Sequence, residues 1–273
     1  MAKVTSAGKT PPTPTAGTPA GLDGTQAIRR AVAMLKIIAS GTYPGVTLSE
    51  VSETMSLSRS TAHRILRCLV NEGLVEQDSV HNNYTIGRLA FELSLASTRD
   101  FHGASGWNRV VESVARRTNH TTYLLARTGV DAVIIQKAEG RASLRVVPVD
   151  VGQRRALGVG AGALALLSSF EPPEIERIIQ AVTPSLAQFP NLNPAVLLQD
   201  ALAARARGYA ISRGRVFNEV VGLGVALPAP DVGQLAISLA MPASAVDDTA
   251  LIELARIIKQ EIATAGPPAK TRT

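Results

Sequence analysis

The sequence is poor in cysteine, in aromatic residues and in long apolar runs, and each shortage excludes a class of protein. Cys68 is the one cysteine among 273 residues, which excludes an internal disulfide and a multi-cysteine zinc site. A single thiol is typical of a reducing compartment, so we predict a cytoplasmic location. No run of about 18 or more apolar residues occurs, so no membrane span is predicted. The N-terminus also lacks the apolar centre of a signal peptide.

The motifs of enzymes and of metal sites are also missing. The four histidines are not spaced as metal ligands, and they are His63, His81, His102 and His120. No nucleophile elbow, Walker loop or paired acid motif is present. We therefore predict no metal, no cofactor and no enzyme activity. An enzyme built on the C-terminal half is a minor alternative, which would require acids, bases or nucleophiles that the sequence does not position.

The sequence does contain a basic balance and a sizeable apolar fraction. A net charge of +6 and a pI near 9.8 permit a polyanionic partner such as nucleic acid. Apolar residues make up 45% of the chain but aromatics only 4%, so the core must consist of Leu, Val, Ile and Ala. The length is sufficient for two domains. Residues 1–23, rich in Pro, Thr, Gly and Ala, are predicted to be a disordered tail, as are residues 266–273.

One stretch, from Leu57 to Leu74, predicts a short amphipathic helix. Ser58 is a suitable N-cap, and Gly73 is suited to the left-handed position that ends a helix. The spacing i, i+3, i+4 and i+7 produces an apolar stripe of Ala62, Ile65, Leu66 and Leu69. The other faces carry Arg59, Ser60, Thr61, His63, Arg64 and Arg67. These side-chain types bind phosphates and base edges in a major groove, although an ordinary solvated basic face has the same composition.

The flanking segments favour the DNA-binding interpretation. A helix is predicted over residues 25–40 and a second over LSEVSETM, capped by Thr47 or Ser49. Two short strands follow the basic helix, joined by a turn at His81-Asn82-Asn83. The order of three helices and a hairpin predicts a winged helix-turn-helix domain over residues 24–87. Residues 88–104 are predicted to form a linker helix whose spare apolar surface could pair with a second copy.

From about residue 105 the pattern changes to strands bracketed by helices, which predicts an α+β domain over residues 105–265 rather than a doubly wound sheet. Strands are expected over 121–127, 131–139, 144–149, 209–213, 222–229 and 234–241, and helices over 107–118, 158–170, 174–182, 194–208 and 246–264. The stretch VGQRRAL is interpreted as an Arg-rich loop. The glycine-rich start of helix 158–170 could receive a small carboxylate, or could serve close helix–sheet packing, and both interpretations stay open.

These residues together resemble a known family. In the N-terminal part the matching positions are Leu57, Ser60, Thr61, His63, Arg64, Leu66, Leu69, Gly73, Leu74, Val75, Tyr84 and Gly87. In the C-terminal part the matching segments are LRVVPVDVGQRRALGVGAGALALLSS, RARGYAISRG and VVGLGVALPAPDVGQLAISLAMP. The chain is similar over residues 25–264 to IclR-type bacterial transcriptional regulators. The resemblance implies a GAF-like α/β effector-binding domain, dimers or tetramers, a palindromic double-stranded DNA operator and a small-molecule effector, often an organic or aromatic acid.

The site residues follow from the helix pattern and from this resemblance. We expect Ser60, Thr61, His63 and Arg64 to face the groove, Arg59 and Arg67 to contact phosphates, and His81, Asn82 and Asn83 to form the DNA-contacting wing. By position, the effector residues implied by the resemblance are Leu144, Gly160, Ala161, Leu223, Val225, Ser238 and Ala240.

The sequence departs from the family pattern around the effector site. Ala-Leu-Gly-Val precedes the glycine-rich helix, and Ala163 replaces a usual lysine. The loop ISRGRVFNEVVG is basic, and a polar neighbour of Val225 and a hydroxyl at Ala240 are missing. These departures make a more apolar or bulkier effector as plausible as a small acid. A winged helix that binds a protein partner is the remaining alternative, because the fold alone does not define the ligand.

Overall fold

The computed structural model describes residues 25–41, 44–96, 106–141, 149–227 and 234–265. Several predicted features lie outside these residues: both tails, the linker helix after residue 96, Leu144, and all of the strand over 144–149 except its last residue. None of the described helices is long and apolar enough to cross a membrane.

The N-terminal domain has the predicted order of elements. Its helices are α1 (Gln26–Ala39), α2 (Leu48–Thr54) and α3 (Arg59–Asn71), followed by strands β1 (Val75–Gln77) and β2 (Tyr84–Ile86). β1 and β2 pair antiparallel, with Val75 opposite Ile86. Val46 forms an additional bridge to Tyr84, which joins the α1–α2 connection to the hairpin. The winged helix-turn-helix is therefore confirmed.

The short helices of this domain are defined by their caps and by a small shared core. Thr47 and Glu50 form a capping box at α2, in which the Thr47 side chain accepts from the Glu50 N–H and the Glu50 carboxylate accepts from the Thr47 N–H. α3 buries Ala62, Leu66 and Leu69 against a cluster to which the other elements contribute Met34, Ile38, Val46, Val51, Val75 and Tyr84. The apolar stripe predicted for α3 is buried at these three positions and half-buried at Ile65.

The linker helix α4 (Arg88–Ala96) follows the hairpin directly. Its apolar side chains Phe91, Leu93 and Leu95 are all more than half exposed. Folding of one chain buries little of this apolar surface.

The C-terminal domain consists of one antiparallel sheet between two layers of helices. Its elements are α5 (Asn108–Thr118), β3 (Thr121–Thr128), β4 (Asp131–Ala138), β5 (Arg154–Ala156), α6 (Ala161–Ser168), α7 (Pro172–Leu186), α8 (Pro194–Arg207), β6 (Ala210–Arg213), β7 (Val220–Ala226), β8 (Leu235–Pro242) and α9 (Asp248–Ala265), with a 3-10 turn at Ala243–Ala245. Within the described residues the strand order is β5-β4-β3-β8-β7-β6, and every neighbouring pair is antiparallel. The α+β prediction is confirmed.

The strand β5 was not expected, because the stretch VGQRRAL was interpreted as a loop. It pairs with β4 and forms the edge of the sheet, and Asp131, Ala132 and Val133 of β4 lie opposite Ala156, Arg155 and Arg154. A strand of three residues with two arginines has no apolar alternation to reveal it. Its position is set by the partner strand rather than by its own sequence.

The two faces of the sheet have different neighbours. One face packs on α5 and α9 through a cluster that includes Leu124, Val221, Leu223, Val225, Ile237 and Leu239. The other face packs on α6 and α8, and α7 packs against these two helices. Every residue of α6 is buried, so this helix is central to the domain. Gly222 and Gly224 of β7 face α6, since a Cβ added at either would meet Ala161.

Candidate DNA interface and effector cavity

The exposed surface of α3 carries most of the side chains predicted to contact DNA. Arg59, Ser60, His63, Arg64 and Arg67 are all exposed. Within the described part of the chain, none of the four basic residues in this group has a hydrogen-bond or ion-pair partner. Their donors are therefore available for phosphates and base edges. The N-cap and the apolar stripe fix the helix so that these side chains share one surface.

Thr61 and Ser60 are partly engaged at the helix start. The Oγ of Ser58 accepts from the Thr61 N–H at 3.3 Å and lies 2.8 Å from the Thr61 hydroxyl. The Ser60 hydroxyl lies 3.2 Å from the same oxygen. This N-cap satisfies backbone donors at the first turn, and Thr61 is only half-exposed as a result.

The wing is a tight turn ordered by Asp78. One carboxylate oxygen of Asp78 accepts from the Val80 N–H at 2.8 Å, and the other lies 2.6 Å from His81 Nδ1. The backbone hydrogen bond from Val80, followed by the contact with His81, holds the pKa of Asp78 below its usual value. Asn82 adopts a left-handed φ of 56°. The side chains of His81 and Asn82 are thereby placed in solvent.

Asn83 does not belong to the exposed wing, and this part of the prediction is wrong. Its side chain is 8% exposed. It immediately precedes β2, where the chain turns back onto the α1–α2 connection at Gly45. Tight pairing of the hairpin with Val46 therefore directs Asn83 inward.

A cavity of about 100 Å³ lies between the N-terminus of α6 and the sheet. This volume is enough for several water molecules or a small organic molecule. Of the predicted effector residues, Gly160, Ala161, Ser238 and Ala240 line it. Leu144 is outside the described residues.

Leu223 and Val225 are on the wrong face of the sheet to line this cavity. Both are buried in the cluster formed with α5 and α9. Successive residues of a strand point to opposite faces, and in β7 the cavity side is occupied by Val220, Gly222 and Gly224. The expectation that Leu223 and Val225 contact an effector is therefore corrected.

The three glycines at the start of α6 have different surroundings, and close packing accounts for two of them. Cβ atoms added at Gly158 and Gly162 would lie 2.5 Å from side-chain carbons of Leu197 and Leu125, so both glycines serve close packing. Gly160 has a φ of +85° and open space around it, with Val216 at 4.0 Å as its one neighbour. Only at Gly160 does the absence of a side chain leave the helix start open to the cavity.

Sequence reasoning missed several polar residues of the cavity. Tyr123, Arg155 and Ser212 line it together with Ser238. The guanidinium of Arg155 lies 5.6 Å from the ring centroid of Phe217. Burial raises the pKa of Tyr123 and lowers that of Arg155. The two arginines of VGQRRAL were the available sequence signal for a cation in the cavity. Which of them faces the cavity was not evident until the segment was seen as strand β5.

Within the described ranges, no three histidine, cysteine or acidic side chains lie together as metal ligands. Cys68 is exposed on α3, and the described part of the chain contains no partner for it.

Comparison with known proteins matches both halves of the chain. A family model described as "IclR helix-turn-helix domain" matches residues 27–79, and one described as "Bacterial transcriptional regulator IclR C-terminal" matches residues 102–265. The HTH-type transcriptional regulator BhcR of Paracoccus denitrificans is 31% identical over 195 residues, covering 69% of this chain and 67% of that protein. The HTH-type transcriptional repressor AllR of Escherichia coli K12 is 29% identical over 261 residues, covering 90% of this chain and 92% of its own length.

Solved structures have the same fold. An IcIR transcriptional regulator from Alicyclobacillus acidocaldarius aligns with a TM-score of 0.68 at 20% identity, covering 88% of this chain and 96% of that one. An IclR homologue from Microbacterium hydrocarbonoxydans, complexed with 4-hydroxybenzoate, aligns with a TM-score of 0.61 at 18% identity, covering 87% and 99%.

Proposed function

Because this chain belongs to the IclR family of DNA-binding transcriptional regulators, we propose that a small molecule in the cavity beside α6 tunes its affinity for an operator. The observation that carries the proposal is the cavity itself. It lies in the part of the chain that matches the family's C-terminal model, and the solved homologue with 4-hydroxybenzoate supports a ligand for this fold. The family is one of regulators and not of enzymes. We propose the bacterial cytoplasm as its location, since the DNA lies there.

We propose that α3 enters the major groove of the operator. Ser60, Thr61, His63 and Arg64 would face base edges, and Arg59 and Arg67 would contact phosphates. The exposure of the basic residues and their lack of partners in the described part of the chain support these roles. In the wing, His81 and Asn82 would lie against the adjacent backbone or minor groove.

We further propose that the protein binds DNA as a homodimer or a tetramer of such dimers. Exposed apolar side chains occur on α1 and α4, and they are Ile28, Val32, Phe91, Leu93 and Leu95. A second copy would remove them from water. Two recognition helices related by two-fold symmetry would then read a palindromic operator, with half-sites about one helical turn apart or multiples of it.

A binding titration tests the DNA-binding roles. We expect Arg64→Ala to weaken binding to the region upstream of the protein's own gene by about 1–3 kcal/mol if Arg64 contacts a base, and to relax specificity at that position. Arg59→Ala or Arg67→Ala should weaken binding more uniformly across sequences and reduce the salt slope by about 1. Fluorescence anisotropy at several salt concentrations measures both quantities.

Arg177→Ala is the matched control for lost charge, because Arg177 is exposed on α7 and pairs with Glu174. It should leave operator affinity close to that of the unmodified protein. Unchanged specific binding after Arg64→Ala would contradict the groove-facing role. Absence of salt-dependent binding to any duplex would contradict the recognition surface as a whole and would favour a protein partner.

A further inference from the structure

Arg155 projects a positive charge into the cavity from the edge strand β5. Its neighbour Arg154 makes an ion pair with Asp131, with Nη1 3.1 Å from the carboxylate. Arg155 follows it in the strand and lines the cavity, whereas Arg154 does not. Alternation along β5 thus separates two adjacent arginines. One is neutralised within the protein, and the other faces the space proposed for the effector.

Arg155 has no acidic partner in the described part of the chain. Three acids of this domain pair with other cations: Asp131 with Arg154, Asp150 with Lys137, and Asp200 with Arg215. Among the described residues that line the cavity there is no aspartate or glutamate. The contact found for the Arg155 guanidinium is the ring of Phe217, a cation–π contact that does not neutralise charge. A half-buried arginine with no counter-ion is costly, so a role in binding an anion would account for it.

The remaining cavity wall fits one acid group attached to an apolar body. Ser212 and Ser238 are buried residues that line the cavity, and the described residues offer neither hydroxyl a hydrogen-bond partner. Tyr123 adds a third hydroxyl. The other lining side chains are mostly apolar, among them Leu125, Ile134, Val149, Val159 and Val216. The cavity therefore combines one cation, a few hydroxyls and an apolar surface.

We infer that Arg155 determines which effectors the cavity accepts: its guanidinium binds the carboxylate of a small monocarboxylate, while Ser212 and Ser238 donate to the carboxylate oxygens. A guanidinium can pair with a carboxylate through two parallel hydrogen bonds. A single cation neutralises one negative charge, whereas a phosphate dianion would retain a charge in a mostly apolar cavity. This inference rests on the proposed function, and it selects the acid over the more apolar effector that the sequence left equally plausible. Arg155 is then the residue that sets specificity for charge.

Matched pairs of ligands that differ only in charge test this inference on the full-length protein. The probes are benzoate with benzamide, 4-hydroxybenzoate with 4-hydroxybenzamide, and hexanoate with hexanamide. Thermal shift detects binding to the native state, and calorimetry gives the dissociation constant. We expect at least one carboxylate to raise the melting temperature while its amide does not. Arg155→Leu should weaken the binding of that carboxylate by about 10- to 100-fold.

Arg154→Leu is the matched control, because it removes the same charge one residue away and outside the cavity. It should change carboxylate affinity by no more than about a factor of two. A change this small is distinguishable from the loss expected when Arg155→Leu removes a charge-assisted pair. Arg155→Lys retains the charge but loses the planar pair of donors, so its affinity should fall between those of the unmodified protein and Arg155→Leu. Without ligand, Arg155→Leu should melt at the same or a higher temperature, because it removes a half-buried charge that has no counter-ion among the described residues.

Four results would overturn the inference. They are equal binding of acids and amides, carboxylate binding that survives Arg155→Leu, a lower melting temperature of unliganded Arg155→Leu that indicates a structural role, and no shift from any probe. Anisotropy with operator DNA, measured on the same preparations, separates these failures from failure of the proposed function. Salt-dependent operator binding that responds to a neutral ligand would support the proposed regulatory function and contradict the inference that Arg155 binds a carboxylate.

Discussion

The β7 backbone at Gly224 lies close to the backbone of α6 beside the cavity, so Gly224→Ala is a severe test of this arrangement. A Cβ added to Gly224 would lie 2.2 Å from the carbonyl oxygen of Ala161 and 3.1 Å from the Cβ of Ala165. The first distance is about 1 Å shorter than an ordinary carbon–oxygen contact. The obstacle is main chain, so no rotamer change relieves it. The first turn of α6 must move away from β7, and that turn forms the wall of the cavity.

The size of the effect is the difference between two terms. Overpacking of this kind costs about 1–3 kcal/mol, while replacing glycine with alanine at a permitted φ returns about 0.4–1 kcal/mol through the unfolded state. Because the obstacle is main chain, the cost lies in the upper part of the first range, at about 2–3 kcal/mol, and the net loss is about 1–2.5 kcal/mol. For a domain of about 160 residues this loss lowers the melting temperature by roughly 2–10 °C. Affinity for a ligand in the cavity should also fall, since Ala161 moves.

Tryptophan fluorescence during urea unfolding measures this loss in the correct domain. Trp107 is the one tryptophan of the sequence, and it is buried in the cluster on the opposite face of the same sheet. The protein concentration is held fixed, because self-association would alter the apparent stability. The unfolding midpoint then reports the C-terminal domain without contribution from the winged helix.

Gly222→Ala is the matched comparison for the same contact. Its added Cβ would meet the Cβ of Ala161 at 2.8 Å, so the obstacle is a methyl group and not main chain. Adding Ala161→Gly should therefore recover part of the stability lost in Gly222→Ala and little of that lost in Gly224→Ala. Equal recovery in both, or a Gly224→Ala midpoint equal to that of the unmodified protein, would refute the close approach of α6 to β7.

Two further predictions concern the winged helix. Thr47→Ala should cost about 1 kcal/mol at about pH 7, measured by circular dichroism in urea. The pKa of Glu50 is lowered, first by the hydrogen bond from the Thr47 backbone and then by that from its side chain, so this carboxylate stabilises the domain above its ordinary pKa and loses that effect as the pH falls through the lowered value. The difference between Thr47→Ala and the unmodified protein should therefore shrink towards about pH 3, and a pH-independent difference would reject the capping box. His81→Ala should weaken operator binding while the free energy of unfolding stays within about 0.5 kcal/mol of that of the unmodified protein. Asn83→Ala should leave operator affinity intact, because Asn83 is buried. The reverse pattern would reject the burial of Asn83.

Local signals were sufficient to predict the helices and most of the strands. The cap at Ser58 and the stripe through Ala62, Leu66 and Leu69 place α3 within a residue or two of its observed bounds. α1 begins and ends one residue inside its prediction. Such features depend on neighbours three or four residues apart, so they are readable from the sequence.

The direction of side chains in buried strands was not readable in the same way. In β8, the first five residues from Leu235 are all buried, because helices cover both faces of the sheet. Without alternation of polar and apolar residues, nothing in the sequence assigns a residue to the cavity or to the opposite cluster. Leu223 and Val225 were misplaced for this reason, whereas Gly222 and Gly224 mark the cavity side only once α6 is seen against them.

The sequence by itself thus determined the class of protein: a winged helix-turn-helix, an α+β domain after it, and a basic recognition helix. Those conclusions depend on composition, on caps and on apolar spacing within single elements. Only the tertiary structure decided the contents of the cavity, because its wall draws on β3, β5, α6, β6 and β8, which are distant in the chain. The pairing of three residues of β5 with β4 turned an apparent loop into the strand that directs Arg155 towards the proposed effector.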